Sequence, residues 1–180
     1  MKHLILIGFK HVGKSAIAKE LASRLNLPLV DVDAEVEQTF RQTTGEIATC
    51  RQIVQTRGEP VFRELESQAL KVVLQRPERS IVSLGGGAVM DPGNQKLISQ
   101  YQVIHVTAPK GIVYERIMVH GKPAFFPKNE EPFTAFNRIW QERETIYQRF
   151  AALTVVNDKS ITDAVNQIIN SPELALKPLK

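Results

Sequence analysis

One short segment near the start of the chain restricts its fold more than any other feature. Gly8-Phe9-Lys10-His11-Val12-Gly13-Lys14-Ser15 follows the continuous apolar run Leu4–Ile7 and precedes Ile17, Leu21 and Leu25, which share one helical stripe. The pattern G-x-x-x-x-G-K-[ST], set between a buried strand and a helix, is an arrangement that cradles phosphate groups. Its glycines let main-chain N–H groups converge on phosphate oxygens. The helix beginning at Lys14 adds its positive dipole end, and Lys14 reaches the β- and γ-phosphates as a point charge. Ser15 offers a hydroxyl to Mg²⁺, a hard ion that takes oxygen ligands. Histidine tolerates positive φ only in part, so His11 predicts a slightly strained or differently shaped loop.

The rest of the chain continues the alternation. Leu29–Val32, Ser80–Leu84, Val103–Val106 and Leu153–Val156 read as further strands after Leu4–Gly8. Helical spacing runs from Glu59 through Phe62, Leu65, Ala69, Val72 and Val73, and helices are also expected over Gly93–Gln100, Pro109–Val119, Pro132–Phe150 and Ile161–Asn170. Strands separated by helices imply right-handed crossovers and a mostly parallel sheet, with the ligand crevice at the carboxyl ends of the strands. The length of 180 residues suits one domain, read here over residues 1–170 with a flexible tail over 171–180. Residues 120–131 carry Gly121, Pro123 and Pro127 without periodicity, and read either as a mobile lid or as a plain surface loop.

Composition excludes several classes. The net charge of +4 comes from scattered basic residues, which argues against a nucleic-acid binder. No run approaches the roughly 20 apolar residues of a spanning helix, and Cys50, the single cysteine, can form neither an intrachain disulfide nor a thiolate metal site. A cytoplasmic, monomeric protein is expected. His3, His11, His105 and His120 lack ligand spacing.

Three features follow strands or lie on helices and each has two readings. Asp31 and Asp33 at the end of the second strand point the same way if the strand continues through them, so that one carboxylate holds Mg²⁺ through water and the other orients an acceptor hydroxyl. Alternatively, Asp33 caps a helix beginning at Ala34. Gly85-Gly86-Gly87 either admits a ligand close to the main chain or makes a flexible turn. Arg63 and Arg143 are natural forks for a carboxylate or are ordinary surface charges.

Taken together, GFKHVGKS, LVDVDAEVE, GEPVFRELE, SLGGGAV and ERETIYQRFA resemble the shikimate kinase family in order and spacing, from Leu4 to about Asp158. The resemblance implies a three-layer α/β P-loop kinase fold with a five-stranded parallel sheet of order 2-3-1-4-5, helices on both faces and a lid. It implies that His11, Val12, Gly13, Lys14, Ser15 and Ala16 hold ATP, with Arg116 over the adenine and Ser15 and Asp31 serving Mg²⁺. It implies that Asp33, Phe62, Arg63, Gly85, Gly86, Gly87 and Arg143 bind shikimate, and that Lys14, Asp33 and Lys122 act in transfer of the γ-phosphoryl group to its 3-hydroxyl. The chain departs from the family at the lid, where Lys122-Pro123-Ala124 replaces Arg-Pro-Leu and Lys128 competes for the cation's role, and at His11 and Cys50. A kinase of another hydroxy acid such as gluconate and a weakened nucleotide-binding paralogue are the alternatives.

Overall fold

The computed structural model describes residues 3–119, 121–123, 125–127 and 129–174. Its core is a five-stranded sheet in the order β2-β3-β1-β4-β5. The strands are β1 (Leu4–Ile7), β2 (Leu29–Asp31), β3 (Ile81–Ser83), β4 (Gln102–Thr107) and β5 (Leu153–Val156), and every pairing is parallel. All four residues of β1 are buried, because the central strand is covered by helices on both faces. The expected order and topology are therefore found.

Between the strands run α1 (Lys14–Leu25), α2 (Val32–Thr44), α3 (Cys50–Arg57), α4 (Glu59–Leu74), α5 (Pro92–Ile98), α6 (Lys110–Val119) and α7 (Pro132–Phe150), with α8 (Ile161–Ile169) after β5. Helix α3 has no counterpart in the periodicity reading. It is only two turns long and buries Ile53 alone, and its start is fixed by a capping box in which Thr49 and Gln52 satisfy each other's main-chain N–H groups. Gly58 ends α3 and opens α4, whose Phe62, Glu66, Ala69, Leu70 and Val73 face inward.

Strand β2 stops one residue earlier than expected. Asp31, not Asp33, is the helix cap: its Oδ1 accepts from the Asp33 N–H at 3.0 Å, and Val32 is already helical. Strand alternation thus does not place the two carboxylates. Asp33 lies in the first turn of α2, and a tight cap-and-turn brings it to the same cavity as Asp31.

Of the tail read over 171–180, Pro172–Leu174 forms a 3₁₀ turn whose Leu174 is fully buried, and its carbonyl accepts from Gln102 Nε2 at 3.0 Å. Residues 175–180 lie outside the described residues. Between α6 and α7 the Phe126 N–H donates to the Pro123 carbonyl at 3.1 Å, and Phe126 is buried. His120, Ala124 and Lys128 lie outside the described residues. No helix among the described residues is long and apolar enough to cross a membrane.

Candidate active site

The loop between β1 and α1 is held by its neighbours rather than by its own side chains. Gly13 caps α1 in the left-handed region at φ 99°, and a Cβ there would collide with the Asn157 amide. Asn157 Nδ2 donates to the Val12 carbonyl at 2.9 Å, which ties the loop to the end of β5. His11 also sits in the left-handed region, at φ 65°, where the sequence predicts strain. Its carbonyl accepts from Arg116 Nη1 at 3.2 Å. Lys14 curls back under the loop, with Nζ donating to the Gly8 carbonyl at 2.9 Å and the Phe9 carbonyl at 2.7 Å. Burial pushes the Lys14 ammonium down to about 8, against the pull of Asp33 and Asp31.

The opposite wall is built from side chains on three helices and from the main chain that follows β3. Asp33 comes from α2, Arg63 and Glu66 from α4, Gly85–Gly87 from the end of β3, and Arg143 from α7. Arg63 Nη1 donates to Glu66 at 2.7 Å. Glu66 is 1% exposed, and burial holds its carboxyl above the usual range although Arg63 opposes the shift. Asp33 is raised as well, first by burial and then by the charge of Asp31, with Lys14 opposing. A side chain at Gly85 would displace the two carboxylates, since a Cβ would come within 2.7 Å of Asp33 Oδ1 and 2.9 Å of Glu66 Oε1.

Arg143 Nη1 donates to the Gly86 carbonyl at 3.3 Å, and the Tyr147 hydroxyl donates to the same oxygen. The Arg143 guanidinium packs against the rings of Phe9, at 5.3 Å, and Phe125, at 4.9 Å, which also touch each other edge to face. Phe62 is buried beneath Arg63, whose guanidinium sits 5.2 Å from the ring centroid.

A cavity of about 590 Å³ joins the two walls. It is lined by His11, Gly13, Lys14, Ser15, Ala16, Asp31, Asp33, Phe62, Arg63, Gly85, Gly86, Gly87 and Arg143 among the residues singled out from sequence. Three others do not line it. Val12 is buried, Arg116 lies over the His11 carbonyl, and Lys122 is exposed with Nζ donating to the Glu130 carbonyl at 3.2 Å. A second cavity, of about 620 Å³, lies between α2 and α3 around Arg41 and Ile47, and has neither a phosphate loop nor a titratable cluster of this kind. Chemistry and not size selects the first.

Sequence reasoning did not assign Glu66, Tyr147 or Asn157. Glu66 and Tyr147 stand one turn after Arg63 and Arg143, which is a legible spacing, but burial of their polar ends is not. Asn157 follows β5 with no local signal. Cys50 also lines the cavity; its Sγ faces the Asp33 carbonyl at 3.4 Å, and burial raises its thiol, which makes it a packing group.

The donors around Ser15 and Asp31 suit Mg²⁺ in type, since both offer oxygen. Among the described residues no group of three or more His, Cys, Asp or Glu could hold a metal alone. That donor set fits an ion brought in with a triphosphate, whose own oxygens complete its shell.

Comparison with known proteins agrees with this chemistry. The family model described as shikimate kinase matches residues 10–172. A shikimate kinase of Rhodococcus erythropolis is 32% identical over 169 residues, covering 92% of this chain and 94% of that one. A bifunctional shikimate kinase/3-dehydroquinate synthase of Thermotoga maritima is 30% identical over 147 residues, and the match spans 82% of this chain but only 28% of that protein's length. The solved shikimate kinase from Acinetobacter baumannii in complex with shikimate shares the fold, with a TM-score of 0.80 at 23% identity over 94% of this chain and 91% of that chain. Matched by the family model over most of its length, the chain belongs to the shikimate kinase family and is a phosphotransferase that uses ATP and Mg²⁺ and acts on an alcohol.

Proposed function

We propose that this chain transfers the γ-phosphoryl group of ATP to the 3-hydroxyl of shikimate. The observation that carries the reading is one cavity with a phosphate loop on one wall and Asp33, Arg63 and Arg143 on the other. A small acid with several hydroxyls fits that second wall: two guanidinium groups for its carboxylate, and Asp33 with the Gly85–Gly87 main chain for its hydroxyls.

On this reading the N–H groups of His11–Ala16 and the Lys14 ammonium hold the triphosphate, and Arg116 covers the adenine side. A Lys14 ammonium near 8 is mostly charged at neutral pH, and triphosphate oxygens favour its charged form further. Ser15, and Asp31 through water, would hold Mg²⁺, which would supply charge neutralisation on the phosphates. Asp33 aligns the 3-hydroxyl and takes its proton; its raised pKa makes it a better base than an ordinary aspartate. Phe62 forms an apolar wall beside the ring. Lys122 serves as the lid's cation once it leaves the Glu130 carbonyl, and closure of 120–131 excludes water. The protein acts as a monomer in the cytoplasm, which supplies the ATP and Mg²⁺ it needs.

A coupled ADP-release assay tests the proposal. ADP should appear with shikimate and Mg²⁺ together and not with either alone. Turnover of gluconate with none of shikimate would overturn it.

A further inference from the structure

The two arginines of the acceptor wall use their donors differently. Arg143 spends one nitrogen on a main-chain carbonyl. Arg63 meets two carboxylates: Nη1 donates to Glu66 at 2.7 Å, while Nε and Nη2 both donate to one oxygen of Glu59, at 3.3 and 3.1 Å. Those carboxylates are unalike. The Glu66 side chain is 1% exposed, and that of Glu59, in the first turn of α4, is 59% exposed. Both line the cavity.

Nε and Nη2 form one of the flat edges through which a guanidinium takes a carboxylate in two parallel bonds. The Nη1/Nη2 end is closed off, because it abuts Gly87 so tightly that a Cβ there would lie 2.8 Å from the Arg63 Cζ. The edge open to an incoming acid is therefore the one that Glu59 occupies.

We infer that Glu59 is a built-in competitor for the acceptor's carboxylate: it holds the Nε/Nη2 edge of Arg63 and must be displaced for an acid to take that edge. The identity of that acid rests on the function proposed above. Buried Glu66 stays and keeps the guanidinium in place. Glu59 can turn into water at small cost, since an exposed pair at i, i+4 shifts an equilibrium only about twofold. Glu59 thus sets the affinity for the acceptor and does not touch the reacting atoms.

Glu59→Gln keeps the length of the side chain and removes its charge. The KM for shikimate should fall about two- to threefold, while kcat and the KM for ATP stay within error. A higher KM would mean that Glu59 positions Arg63, and would overturn the inference; so would no change. An equal fall in the KM for ATP would mark a general field effect and would also overturn it. Calorimetric titration with benzoate, a ring acid without hydroxyls, reads the same edge without turnover. Tighter binding to Glu59→Gln than to the unsubstituted protein supports the inference, and equal or weaker binding overturns it. Failure of the unsubstituted protein to phosphorylate shikimate would sink the proposed function alone and leave the benzoate comparison decisive.

Discussion

The proposed phosphate wall and the proposed acceptor wall line one cavity but are made in different ways. The phosphate wall is one contiguous loop whose working groups are main-chain N–H donors, and its restraints are glycine at Gly13, the Asn157 amide on Val12, and Lys14 folded beneath. The acceptor wall gathers charged side chains from three helices far apart in the chain, with the Gly85–Gly87 main chain beside them. A main-chain cradle keeps its shape whatever charge surrounds it. A side-chain cradle depends on every partner, and here it concentrates Asp33 and Glu66 in a buried setting that holds both carboxyls above their ordinary range. The phosphate wall is robust and generic, and the acceptor wall is fragile and specific.

The largest expected effect tests whether the two walls are separable. Lys14→Ala removes the side-chain cation folded under the loop and should lower kcat by about a thousandfold, in line with losing a preorganised charge at a developing anion. The loop itself should persist, since Gly13 and Asn157 still hold it. Shikimate binding measured by calorimetry should therefore survive. Loss of shikimate binding in this variant would show that the walls act as one unit and would break the comparison.

The same contrast explains what was legible in the sequence. Spacing alone marks the phosphate loop, because all its parts lie within a few residues and its glycines are needed by local geometry. The sheet is legible for a similar reason, since strands buried on both faces read as apolar runs. The acceptor wall is legible only as disconnected arginines, aspartates and glycines, each with an ordinary explanation, and the resemblance to a family supplied their connection. Asp33 shows the limit well. Strand alternation is the wrong reason for its position, because β2 ends at Asp31 and a cap turns the chain into α2. The role of Asn157 depends on a contact 145 residues away in the chain, which no local pattern encodes.

The second effect is smaller and separates charge from shape at the acceptor wall. Arg63→Ala should raise the KM for shikimate roughly 10- to 100-fold, the scale of a lost charge-assisted hydrogen bond, and leave the KM for ATP near its original value. It also strands Glu66, so the melting temperature should fall by the equivalent of about 1–3 kcal/mol. Arg63→Lys restores a cation but not the fork. It should recover much of the stability and little of the affinity. Full recovery of both would mean that charge suffices and that the geometry described here is incidental.

The smallest effect concerns stability without ligand and follows from the raised pKa of Asp33. A carboxyl whose pKa is higher in the folded protein than in the unfolded chain favours folding when protonated. That contribution is fully present below the unfolded value and is lost as pH rises through the folded one. The ionised form of Asp33 therefore works against the fold, because burial and the neighbouring charge of Asp31 outweigh the attraction of Lys14. Asp33→Asn should raise the melting temperature of the ligand-free protein at pH 7.5, read by thermal denaturation. The advantage should shrink on acidification, as the unsubstituted carboxyl takes up its own proton. Ser15→Ala, a comparable change on the phosphate wall, removes an exposed hydroxyl and should show no such dependence on pH. A pH-independent shift in Asp33→Asn would mean that packing and not charge sets the balance at this position, and the acceptor wall would then carry no electrostatic cost for its function.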